Sequence, residues 1–262
     1  FHLDYFVQFV TMILIVLGAI GFPVLIEVKT FLLRKIPGFR FSLFTKITTT
    51  TYGLLFIVGT LGILIVEAFH SFKGMRWHEA LFSAMYHSVS TRSAGLTTYD
   101  VTTFSEASSI FMSLLMFIGA SPSSVGGGIR TTTFAIAILF LITFANGREE
   151  IQIFGRGIHL TDVFRSFVII FLALFMVLFA TMILHITEPH ATTTQIIFEI
   201  TSAFGTCGMS LGITNDLSIV GKIVVMILMF IGRVGLISFL YTLGGKSKKL
   251  PYRYPKERVI IG

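Results

Sequence analysis

The chain has 262 residues, of which 54% are hydrophobic and 13% charged, with a mean hydropathy of +0.86. That balance excludes a water-soluble globular domain and describes a membrane protein. One cysteine, Cys207, excludes an intrachain disulfide, and the net charge of +7 resides in short connections between apolar stretches, so it reads as membrane topology rather than nucleic-acid binding.

The chain opens at Phe1 directly on an apolar stretch, so a piece of a longer protein is expected. Four stretches reach the roughly 20 apolar residues that cross a hydrocarbon core: Tyr5 to Ile26, Ile47 to Val66, Phe164 to Ile186 and Ile219 to Tyr241. A fifth, Ser109 to Phe144, is interrupted by "GASPSSVGGGIR", Gly119 to Arg130, and reads as one broken span. Lys29, Arg34, Lys35, Arg40 and Lys46 follow the first span, Arg148, Arg156 and Arg165 the broken one, and Lys246, Lys248, Lys249, Arg253, Lys256 and Arg258 the last. These connections are predicted to be cytoplasmic, and the C-terminus with them.

Each outward connection is followed by a short apolar piece, "HEALFSAMYHSV" or "TQIIFEITSAF", and then by a polar segment containing glycine. Neither piece can cross, so each predicts a re-entrant half-helix, whose irregular sequel is tolerated at membrane depth only where protein buries it or water lines it. The two pieces belong to an internal repeat. "LMFIG" at Leu115 to Gly119 recurs at Leu228 to Gly232, and "SAGL" at Ser93 to Leu96 meets "TCGM" at Thr206 to Met209, both at an offset of 113 residues. "GAIG" at Gly18 to Gly21 resembles "GRVG" at Gly232 to Gly235, so the first span reads as the closing helix of a preceding unit. The predicted organisation is residues 1–40 as that closing helix and its loop, 41–160 as a unit with an interrupted second helix, 161–245 as a unit with a continuous one, and 246–262 as a basic tail.

Helix, pore helix, polar loop and helix is the layout of cation-channel pores, in which backbone carbonyls replace the ion's hydration shell. Gly95 and Gly208 supply the backbone freedom that turning successive carbonyls to an axis requires. The residues "STRSAGLTT", "SAFGTCGMS", "GASPSSVGGGIRTTT" and "IGRVG" together resemble the third and fourth repeats of the Ktr/Trk/HKT potassium-transporter superfamily, most like a bacterial Ktr-type membrane subunit. The resemblance covers the chain from Ile47 onward. It implies an all-α membrane protein with repeated helix–pore loop–helix units around a central ion pore, and channel-like K+ uptake across the bacterial cytoplasmic membrane. It also implies sodium stimulation, a homodimer of membrane subunits, and a cytosolic nucleotide-binding regulatory ring.

Carried onto this sequence, Ser93, Ala94, Gly95 and Leu96 form one filter strand and Thr206, Cys207, Gly208 and Met209 another. Neither has a second glycine just after the first, which implies a simpler filter than that of potassium channels. The break, comprising Gly119, Ala120, Ser121, Pro122, Ser123, Ser124, Gly126, Gly127, Gly128 and Arg130, cannot sustain a helix and is similar to the intramembrane gating loop of the third repeat. Arg92, just before the filter, is expected to point behind it and bind either a pore-helix acid, with Glu199 as candidate, or backbone carbonyls. Arg233, in the middle of the last span, is expected to face a cavity or partner and to repel cations beside the gate. The apolar end of the tail, "RVIIG", predicts burial at a dimer or ring interface.

The rival is a cation-coupled secondary transporter with a midplane site made by the broken helix; it calls for inverted repeats, whereas these two units run the same way. An intramembrane enzyme would need a G-x-S-x-G or H-E-x-x-H motif, and neither is present.

Overall fold

The computed structural model describes residues 4–34, 39–148 and 150–236. The fold is helical, and what organises it is polarity: helices are made by long apolar runs and stopped by glycine, serine and proline. The basic tail and its interface assignment lie outside the described residues.

α1 (Tyr5–Ala19) begins at Asp4, whose carboxylate accepts the Val7 N–H, and is followed by α2 (Phe22–Arg34). The single span expected over residues 5–26 is corrected here, because the two helices meet at a bend of 106°. Gly21 turns the chain with φ +97°, and Pro23 follows in the first turn of α2, where its missing N–H leaves no helical bond unmade.

α3 (Leu43–Glu67) is a full membrane-length helix. α4 (Trp77–Ser90) has 14 residues, about 21 Å at 1.5 Å per residue, and cannot cross. α5 (Glu106–Phe117) and α6 (Thr131–Ala145) are the two halves of the broken span, with residues 118–130 between them. A short hairpin, β1 (Gln152–Ile153) with β2 (Arg156–Gly157), follows; it turns through Phe154 and Gly155, both at positive φ, and Lys46 stands over the Phe154 ring at 5.5 Å. α7 (Leu160–Thr187) is the second membrane-length helix, and α8 (Thr193–Gly205) is again too short to cross. α9 (Ile219–Val234) closes the described chain.

The expected continuity of the last span is also corrected. α9 stops at Val234, and Gly235, at φ +91°, interrupts the helical backbone. Gly235 aligns with Gly21 in the glycine motif, and both take positive φ where their helices stop.

The repeat is visible in bonds as well as in helices. α5 and α9 begin 113 residues apart, capped by Ser105 and Ser218. The Glu67 carboxylate at the end of α3 accepts the Ser105 N–H at 2.9 Å and hydroxyl at 2.7 Å; Glu188, just after α7, accepts the same groups of Ser218 at 2.9 and 2.5 Å. Each unit is therefore stapled at one end, first helix to closing helix, by a carboxylate on a helix N-terminus.

Two larger apolar clusters, and a small one of Ala19, Tyr52 and Ala120, are buried among the described residues. One joins Leu184, Ile196, Ile200, Phe204, Leu228 and Ile231 from α7, α8 and α9. The other packs Ile63, Met112, Met116, Phe198, Cys207 and Met209 behind the segment after α8. The outer face is apolar too: Phe164, Phe171, Phe175, Leu178 and Met182 make an exposed stripe along α7 at helical spacing, the surface that hydrocarbon covers.

Candidate functional site

The two predicted filter strands are brought together. At the end of α4, the Ser90 carbonyl accepts the N–H groups of Ser93 (3.3 Å), Ala94 (3.1 Å) and Gly95 (3.2 Å), and the Cys207 thiol at 3.3 Å. In a trans peptide the carbonyl points opposite to the N–H it shares a plane with. The carbonyls of Arg92, Ser93 and Ala94 are therefore turned away from α4. Leu96 is anchored differently: its carbonyl accepts the Ser90 hydroxyl at 2.5 Å.

The second strand repeats the device. Thr206 N–H donates to Ala203 (3.1 Å), Cys207 N–H to the Ser202 carbonyl (2.9 Å) and Gly208 N–H to the Ser202 hydroxyl (3.2 Å). The carbonyls of Gly205, Thr206 and Cys207 thus turn away from α8. Thr206 reaches this geometry in the left-handed region, at φ +51°. The strands touch where Gly95 (φ +67°) lies against Cys207: a Cβ there would collide with the Cys207 carbonyl oxygen and sit 3.0 Å from the Cys207 and Gly208 carbonyl carbons. Met209 and Cys207 are buried in the supporting cluster, while Gly208 is exposed, with open space beside it. The sequence names the strands but not Ser90 and Ser202, the residues that orient them; a serine near the end of each short helix is the available signal.

The loop between α5 and α6 lies directly against these strands. A Cβ on Gly126 would meet the Ser93 Cβ at 2.9 Å and the Arg92 carbonyl oxygen at 3.2 Å, and one on Gly127 would meet Thr206 at 2.7 Å and the Gly232 carbonyl oxygen at 3.0 Å. Gly127 N–H donates to the Gly205 carbonyl at 3.3 Å. Only residues without side chains fit there. The loop closes on itself through a single bridge between Ile118 and Ile129 and through a hydrogen bond from the Thr131 hydroxyl to that of Ser121 (3.0 Å). Arg130 donates to the Gly126 and Ser121 carbonyls.

Its other side docks on the α1–α2 break. Ser121 N–H donates to Ala19 (3.0 Å), Val125 N–H to Gly18 (3.2 Å), and Phe22 N–H to Ser123 (3.0 Å). The interrupted helix exposes carbonyls that need donors, and the loop supplies them. Gly18 and Gly21 were read only as a repeat signature; Gly21 also gives room to the Pro122 carbonyl, with which a Cβ would collide.

Of the three charged residues singled out, Arg92 is 2% exposed and donates to three carbonyls: Ile118 (2.8 Å), Leu55 (3.2 Å) and Leu115 (3.5 Å). Glu199 is not its partner. That carboxylate accepts the hydroxyls of Ser210 (2.7 Å) and Thr214 (2.6 Å), bracing the segment beyond the second strand. Hydroxyl donors near Glu199, and near Arg92 the carbonyls at the end of α5 and that of Leu55 in α3, each satisfy their group without an ion pair. Arg233 stands exposed in the last turn of α9, next to Gly232, whose carbonyl oxygen would lie 3.0 Å from a Cβ on Gly127 of the loop.

Comparisons with known proteins agree with this architecture. The family described as "TrkH: Cation transport protein" matches residues 1–249. Ktr system potassium uptake protein D of Bacillus subtilis is 55% identical over 100% of this chain and 58% of its own length. Potassium/sodium uptake protein NtpJ of Enterococcus hirae is 33% identical over 95% of this chain and 56% of its own. The chain thus spans less than two thirds of these relatives. In fold it is similar to the potassium transporter TrkH from Vibrio parahaemolyticus, with a TM-score of 0.70 at 17% identity, over 90% of this chain and 52% of that one. The repeated units, the paired strands and the family match lead to one conclusion: this chain belongs to the TrkH cation transport protein family, a family of membrane transporters and not of enzymes.

Proposed function

We propose that this chain forms two units and part of a third in a potassium-selective pore, with residues 93–96 and 206–209 as filter strands and the 119–130 loop as the gate beneath them. The observation that carries the reading is the paired carbonyl geometry: two strands in contact, with the N–H groups of residues 93–95 and 206–208 tied back to the helix end before them and the carbonyls of the same peptide planes turned away. The C-terminal ends of α4 and α8 add their partial negative charge at the same place. Arg233 contributes positive charge beside the loop and opposes cation passage while the loop is closed.

Potassium as the cargo is supported by relatives named potassium uptake proteins, and sodium involvement by one named potassium/sodium uptake protein. A homodimer of membrane subunits on a cytosolic nucleotide-binding ring belongs to the same proposal, supported by the Ktr-system relatives. The orientation proposed puts the loops rich in Lys and Arg, and the C-terminus, in the cytoplasm of a bacterial cell.

The test is ion uptake by the full-length protein in cells lacking other potassium systems. Wild type is expected to take up K+, and deletion of residues 126–128 to raise the flux. Absence of K+ uptake by well-inserted wild type overturns the reading of the pore, and an unchanged flux in the deletion overturns that of the gate.

A further inference from the structure

We propose that Arg92 is the positioning residue that couples filter to gate, so that the filter strand and the 119–130 loop shift together. The inference rests on the pore reading above and goes beyond it by assigning the link. Arg92 immediately precedes the filter strand in the chain. Its guanidinium reaches Ile118, the residue at which the loop leaves α5, with its shortest bond, 2.8 Å. Its own carbonyl oxygen faces the middle of the same loop, 3.2 Å from where a Cβ on Gly126 would lie. One residue therefore holds the loop at its root by side chain and abuts its centre by backbone. The third contact, to Leu55 at 3.2 Å, ties the group to α3, which serves as the fixed frame.

The charge is accommodated without a carboxylate: the Arg92 guanidinium makes no ion pair among the described residues. The carbonyls at the end of α5 lack helical partners and carry the negative end of the helix dipole, so they are suited to accept a cation. Arginine's planar fork can bond α3 and α5 at once, which a lysine ammonium on a single stem cannot reproduce.

The repeat gives an independent argument. At the offset of 113 the counterpart of Arg92 is Gly205. There any Cβ would collide with the Met116 carbonyl, and the backbone carbonyl instead takes the Gly127 N–H at 3.3 Å. Equivalent positions at the ends of α4 and α8 thus both grip the loop, by side chain in one unit and by main chain in the other.

The experiment records the full-length protein in planar bilayers, reading open probability and the K+/Na+ permeability ratio for wild type, Arg92→Lys and Arg92→Gln. Each is made with and without deletion of residues 126–128. Arg92→Gln is expected to raise open probability and lower the permeability ratio, each by about tenfold, the equivalent of one charge-assisted hydrogen bond; Arg92→Lys should recover part of both. In the deletion background the gating effect should vanish while the selectivity effect remains. The proposal is overturned if Arg92→Gln, or Arg92→Lys should the former not fold, leaves both readouts at wild-type values. A gating effect that persists undiminished without the loop also overturns it. Wild type that passes no K+ refutes the pore reading itself, an outcome distinct from wild-type-like conduction in the variants.

Discussion

Gly95→Ala offers a direct test of the filter geometry. Gly95 has φ +67°, where an L-residue costs about 1–2 kcal/mol. The added methyl would also stand 3.0 Å from the Cys207 and Gly208 carbonyl carbons, against a comfortable carbon separation of about 3.5–4.0 Å. The neighbours are main chain and cannot rotate aside, so the strands must part by about 0.5–1 Å. A carbonyl cage widened by that much loses its advantage for one ion over another. The K+/Na+ permeability ratio, read from reversal potentials of the full-length protein, should fall by about tenfold, equivalent to about 1.4 kcal/mol. Gly212→Ala is the control: it carries the same backbone cost at φ +93° but meets nothing within 4 Å, so the ratio should hold. A ratio for Gly95→Ala within about twofold of wild type, which is well under 1.4 kcal/mol, would refute the convergence of these strands.

Three further expectations follow from other contacts. Gly119→Ala places a Cβ 2.9 Å from the Gly127 carbonyl carbon and 3.3 Å from the Gly128 Cα, so it should prise the loop open and raise K+ flux in uptake assays without reducing the amount of protein in the membrane. Gly232→Ala drives a methyl to within 2.9 Å of the Phe204 carbonyl carbon at the end of α8, an overpacking of about 1–3 kcal/mol that should lower the melting temperature in detergent. The Ser218 hydroxyl, with the Ser218 N–H, holds the Glu188 carboxyl below its usual range despite some desolvation. That contribution is complete above the unfolded pKa of about 4.3 and fades as pH falls through the lower folded value. Wild type should therefore lose more thermal stability than Glu188→Gln between pH 7 and acid pH, and equal losses would contradict it.

Much of the framework is legible in the sequence because hydrophobic length and an exact-offset repeat are strong signals. The two helices too short to cross, α4 and α8, the 119–130 interruption and the alignment of Gly95 with Gly208 all follow from them. The bend at Gly21 does not, since hydropathy is blind to direction and no charged residue interrupts residues 5–26. The signal was Gly21-Phe22-Pro23, a flexible residue followed by one suited to a helix's first turn. Gly235 hid in the same way inside an apolar run. Of the two partners the sequence leaves open for Arg92, the backbone carbonyls hold it and Glu199 does not, because the hydroxyls of Ser210 and Thr214 satisfy that carboxylate. The hairpin around Phe154 was read only as a basic connection; two-residue strands carry too little alternation to be seen.

The docking of the loop on the α1–α2 break has a mechanical reading. α2 is an arm of 13 residues, about 20 Å long, standing at 106° to α1 with its fulcrum at Gly21. The amide at its near end, Phe22, already holds Ser123 of the loop. Any displacement of the far end would therefore be felt at residues 121–125 of the loop, through the Phe22 bond and the two that Ser121 and Val125 make to Ala19 and Gly18, and reduced in amplitude by the length of the arm.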